Sequence, residues 1–176
     1  WLWDNPQRSD ELTTLYNQEI NVMHQEPSDG SHLTFPGMSD EVRNLLDPHQ
    51  VNAVWRYITG GNMLLGHVVG AGKSWTMAAA AMEQKRISGN PSYKTMIAVP
   101  NHLVTSGQFV KEIYEAYPSA KVLAATPDSL SGIGRRSLLK KIATGNYDII
   151  VIAHTSFGMI PLNPSHESDF IQKQID

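Results

Sequence analysis

The chain has 176 residues, 41% hydrophobic and 18% charged, which suits one soluble globular domain with a real core and leaves little room for two. Its formal net charge of −3 excludes wrapping in nucleic acid by bulk electrostatics, so any DNA contact must be local, through backbone amides and a few basic side chains. The absence of cysteine excludes a disulfide framework, a thiolate metal site and a cysteine nucleophile, and the seven histidines show no tight ligand spacing for zinc. No apolar run approaches the roughly 18 residues of a membrane span, and WLWDNPQRSDE lacks the layout of a secretory signal. A cytoplasmic protein without a membrane partner is expected.

Residues 8–21 place Leu12, Leu15, Tyr16 and Ile20 at helical spacing, and a polar, glycine-containing connection follows to about residue 38. Residues 1–46 thus form a lead-in segment, and the main domain begins at residue 47. The stretch LDPHQVNAVWRYITGG is a well-marked helix, with Asp47 as N-cap, Pro48 at the first helical position and Gly60-Gly61 as the stop. A rhythm then sets in: strand 63–66, helix 73–88, strand 95–99, helix 102–116, strand 121–125, helix 135–143 and strand 148–153. Apolar strands alternating with helices predict an α/β fold, a mainly parallel sheet covered on both faces. The tail NPSHESDFIQKQID reads as the first turns of a further helix. The basic cluster GRRSLLKK at 134–141 is either a solvated helix face or a local contact for nucleic acid.

Between the first strand and its helix stands GHVVGAGKS, residues 66–74. Gly70 and Gly72 allow backbone conformations that other residues resist, so the N–H groups around Val69 and Ala71 converge on an anion. The N-terminus of the helix beginning at Lys73 and Trp75 adds a positive dipole end. Lys73 then reaches the β- and γ-phosphates and the Ser74 hydroxyl ligates Mg²⁺. The match to G-x-x-x-x-G-K-[ST] is imperfect, because His67 stands in the place of the first glycine. The strand before and the helix after still make it a nucleoside triphosphate site, for ATP with Mg²⁺.

Several ordered segments resemble one family over nearly the whole chain. LDPHQVNAVWR, NMLLGHVVGAGKSW, KTMIAVPNHLVTSGQFVKEIYEAYP and RRSLLKKIATGNYDIIVIAHTSFGMIP are similar to the first RecA-like lobe of superfamily 2 helicases of Swi/Snf type. Within that group the chain most resembles large phage and mobile-element helicases often fused to adenine-specific DNA methylase domains. The resemblance implies a DNA helicase or translocase motor that hydrolyses ATP. It gives Gln50 a contact to adenine, although Gln50 at the third helical position can equally close a capping box. It makes Pro100, Asn101 and His102 a motif that touches the DNA backbone; Asn101 can alternatively cap its helix. It likewise gives His154, Thr155 and Ser156 to the DNA backbone, at the strand end where ligands of open α/β sheets gather. A lone histidine such as His154 is also compatible with a structural role.

Hydrolysis in that family needs a D-E-x-x acidic motif after an apolar strand, and the last such run here, YDIIVIAHTS, ends in Ala153 and His154. Residues 47–176 are therefore expected to be the first part of the lobe, short of the acidic motif and the second RecA-like lobe, a piece of a longer polypeptide inactive on its own. Two rivals stand beside this reading: a stand-alone nucleotide-binding module without hydrolysis, and another P-loop enzyme such as a small-molecule kinase, for which only Arg135 and Arg136 could serve as lid arginines.

Overall fold

The computed structural model describes residues 6–19, 28–126 and 133–158. Its sheet has three strands, β1 (Thr95–Val99), β2 (Val122–Ala125) and β3 (Ile149–Ala153), all parallel and ordered β1-β3-β2. β3 is central and buried at every residue, which is why it reads as the unbroken apolar run IIVIA. Ile149, Val151 and Ala153 enter the main core, whereas Ile152 packs on the other face with Ala125 and Leu138. The expected parallel sheet with helices on both faces is thus present, in a small α/β fold compatible with a RecA-like lobe.

The main core lies between the sheet and a helical layer. Helix α4 (Lys73–Ser88) packs against β1, against α3 (Pro48–Gly60) and against α6 (Gln108–Ala116). The small residues Ala78, Ala79 and Ala81 face this core and let the helices approach closely. On the opposite face Leu138 and Ile142 of α7 (Ile133–Thr144) meet Leu123 of β2. The exposed Arg136, Lys140 and Lys141 of α7 point to water, as a solvated face requires.

Local signals set the ends of these helices. Asp47 and Gln50 form a capping box at α3, with Gln50 Oε1 accepting the Asp47 N–H at 2.8 Å. Gly61 closes the helix at φ +74°. The lead-in helix α1 (Pro6–Glu19) is present, but Leu12, Leu15 and Tyr16 are 45–53% exposed, so its apolar stripe is not buried by any described element.

The structure departs from the predicted elements in three places. Residues 63–66 form no strand, because no described strand pairs with them. Their side chains still alternate: Met63 and Leu65 face a groove beside β1 while Leu64 is 94% exposed. The helix expected over 102–116 is two, α5 (Asn101–Thr105) and α6, broken where Gly107 adopts φ +71°. Helix α2 (Asp40–Leu45) is additional. Its N-cap Ser39 accepts the Val42 N–H and donates through Oγ to Glu115 O at 2.7 Å, which ties the lead-in to α6. The tail after residue 158 lies outside the described residues.

At the N-terminal end of the sheet Asp148 joins three elements. One carboxylate oxygen meets Lys85 Nζ of α4 at 2.6 Å and the other accepts the Lys121 N–H at 2.7 Å.

Candidate functional site

The segment from Val68 to Gly72 turns sharply into α4. Gly70 has φ +86° and Gly72 has φ +65°, left-handed values at both positions where the sequence requires glycine. Gly72 is the N-cap of α4, whose first turn leaves N–H groups without intrahelical partners. A Cβ at Gly70 would meet nothing within 4 Å, so the outer side of the turn is open to an approaching group. Ser74 and Trp75 are half-buried in the first turn, with Trp75 against the main core, and Val69 is 98% exposed. Lys73 folds back over the turn, its Nζ donating to His67 O at 2.9 Å and to Val68 O at 2.7 Å. The ammonium is thus held by neutral carbonyls, and no carboxylate among the described residues ties it down. An anion can take their place with a gain in charge pairing.

Gln50 underlies this turn. Only 4% exposed, it donates through Nε2 to Ala71 O at 3.1 Å and to Gly72 O at 3.2 Å, while its Oε1 serves the capping box. The capping alternative for Gln50 is therefore present, and the amide also clamps the Ala71–Gly72 turn to α3. For adenine to use this amide, one of those bonds must be exchanged.

His67, in the place of the first glycine, packs edge-on against His49 of α3 with ring centroids 4.7 Å apart. Its Nδ1 is buried without a hydrogen-bond partner. Burial, then the neighbouring His49 and Lys73, hold the His67 imidazolium below its ordinary pKa of 6.5. The unfolded chain therefore takes up this proton first as pH falls. The stability that neutral His67 contributes is full above about 6.5 and is lost as pH falls toward the folded value. Melting temperature should drop between pH 7 and 5, and the drop should shrink in His67→Asn, as a thermal melt series on both proteins would read. Sequence reasoning gives His49 no role, because nothing local signals that residues 49 and 67 meet.

A second set of residues gathers at the C-terminal ends of β1 and β3. His154 opens the short helix α8 (His154–Phe157) and donates from Nε2 to Ala98 O of β1 at 3.0 Å. Thr155 Oγ1 donates to Asn101 Oδ1 at 3.0 Å. Pro100, not Asn101, is the N-cap of α5, so the capping role considered for Asn101 is replaced by this bond across the sheet end. Pro100, His102, His154 and Thr155 are exposed, whereas Ser156 is 2% exposed and presents no hydroxyl at the surface. The two segments that the sequence sets more than fifty residues apart thus meet at one sheet end.

A family model described as a probable helicase domain matches residues 55–176, which takes in the turn at 66–74, the Pro100–His102 segment and the 154–156 segment and begins just after Gln50. No curated protein matches the chain. No described helix is long and apolar enough to cross a membrane.

Proposed function

Because the chain belongs to the probable helicase domain family, we propose that it is the ATP-binding part of a helicase-type motor of superfamily 2, Swi/Snf type, that moves on DNA. The observation that carries this is the turn through Gly70 and Gly72 into α4, with Lys73 held by the carbonyls of His67 and Val68. Val69 to Lys73 would cradle the phosphates of ATP through backbone amides and the ammonium, with Trp75 supporting the turn. Ser74 would hold Mg²⁺, which screens phosphate charge and orients the γ-phosphate. Gln50 keeps the loop in register and, by exchanging a bond, reads adenine. Pro100, Asn101, His102, His154 and Thr155 would hold the DNA backbone at the sheet end, and Ser156 supports them from below.

In this reading the acid-bearing strand, the second RecA-like lobe and, in some relatives, a methylase domain come from sequence outside these residues, in a phage or mobile element. The outer edge of β1 is unpaired among the described residues. Beside it Tyr57, Met63, Leu65, Met77 and Met96 line an apolar cavity of about 330 Å³. Further strands of the lobe would fill that gap and pair residues 63–66, removing an edge prone to aggregation. A second reading, nucleotide binding without hydrolysis, is favoured by the absence of an acidic pair at the end of each of the three described strands, Val99-Pro100, Ala125-Thr126 and Ala153-His154.

Calorimetric titration with ADP and Mg²⁺ tests the shared premise. Lys73→Ala should weaken binding on the order of 100-fold, about 2.7 kcal/mol. Equal binding by the variant would overturn the phosphate-loop assignment. DNA-stimulated ATP hydrolysis by the full polypeptide separates the motor from the binding module and from a small-molecule kinase.

A further inference from the structure

The phosphate loop carries a pair of titratable rings where its pattern calls for glycine. His67 lies at that position, and His49 reaches it from the first turn of α3 with ring centroids 4.7 Å apart. Lys73 Nζ sits 2.9 Å from the carbonyl of His67 itself. An anion bound against Lys73 therefore lies next to residue 67. The His67 Nδ1 is buried and makes no hydrogen bond, so the pair contains a nitrogen that the resting fold does not use.

The other charges around the pair are few. Lys73 comes from the start of α4 and opposes a positive charge on the His67 ring. Asp47, the N-cap of α3, lies 3.9 Å from His49 Nδ1 through a carboxylate that is 69% exposed. Gln50, the remaining polar side chain between loop and helix, is neutral. Without ligand, then, the ammonium and the buried position disfavour a proton on His67, in keeping with its lowered pKa. A polyphosphate reverses the sign of the local field, because it brings several negative charges to the same turn.

We propose that His49 and His67 act as a proton-linked second cation for the nucleotide phosphates, one proton passing from solvent onto the pair as ligand binds beside Lys73. This rests on the reading of the turn as a phosphate cradle. The proton comes from buffer, is held by the imidazole pair while the ligand is bound, and returns to solvent on release. His67 is then a phosphate-sensing residue and His49 the neighbour that sets how readily it charges. Binding becomes tighter as pH falls, although acid weakens the unliganded fold through the same ring.

The test is calorimetric titration of the full chain with ADP in excess Mg²⁺, from pH 6 to 8.5, in two buffers of different ionisation enthalpy. The comparison of wild type with His67→Asn cancels the titration of the nucleotide itself. Wild type should take up roughly half to one proton more than the variant near neutral pH, and its affinity should fall by up to tenfold per pH unit where the pair loses its charge. A second readout needs no variant: imidazole nitrogen resonances of the wild-type chain should show the pKa of His67 rising by at least about one unit when ADP is added. Binding that shows neither the proton difference nor the imidazole shift overturns this inference and leaves the phosphate cradle standing. No ADP binding at any pH overturns both.

Discussion

Gly72→Ala is expected to destabilise the protein by about 2–5 kcal/mol and, on the proposed function, to abolish nucleotide binding, through two effects that act at one atom. The residue has φ +65°, a left-handed conformation that an L side chain resists by about 1–2 kcal/mol. The added Cβ would also stand 2.2 Å from Gln50 Nε2, the group that clamps the loop to α3. Gln50 is 4% exposed and cannot step aside without breaking its bonds to Ala71 O, Gly72 O and the Asp47 N–H. The two contributions separate in a double-mutant cycle. Gln50→Ala alone loses the cap and the clamp, but Gly72→Ala should cost about 1–3 kcal/mol less in that background, because the clash is gone. Urea unfolding of the four proteins provides the numbers. Additive losses would show that Gln50 does not set the space at Gly72.

Asp148→Ala is expected to cost about 3–5 kcal/mol, through the charge it leaves behind. Lys85 and Asp148 side chains are 18% and 15% exposed, and their contact is 2.6 Å, so removing the carboxylate strands an ammonium in the fold. The Lys121 N–H at the start of β2 loses its acceptor at the same time. With about 2–4 °C per kcal/mol for a protein of this size, the melting temperature should fall by roughly 10 °C. Asp148→Asn keeps an acceptor for Lys121 and should fall less. Lys85→Met in the Asp148→Ala background should recover about 1–3 kcal/mol, because no unpaired charge then remains. A loss under about 1 kcal/mol for Asp148→Ala would mean that water already screens the pair.

Much of the fold was legible wherever the cause was local. The Asp47-Pro48 start and Gly61 stop of α3, the helix following Gly72 and the apolar runs of β1 and β3 all lie within a few residues of their signals, and the structure has them at the expected positions. Helix α2 was missed because six residues are too few for a periodic pattern, although Ser39-Asp40-Glu41 is a recognisable N-terminal signal. The break at Gly107 was hidden because a glycine inside a helical pattern does not announce a left-handed turn.

The candidate site divides in the same way. Lys73, Ser74 and the two glycines come from a motif of consecutive residues, and with them the sequence by itself determined a glycine-punctuated turn ahead of a helix, the turn proposed above to hold phosphate, and a parallel α/β arrangement behind it. Only the tertiary structure decided that Gln50 clamps the turn from 21 and 22 residues away and that Thr155 meets Asn101 across 54. It alone paired His49 with His67, and left residues 63–66 beside the open edge of β1 without a paired strand among the described residues. Backbone conformation is chosen by residues within a turn of one another, whereas strand order and side-chain partnership depend on which distant surfaces exclude water together.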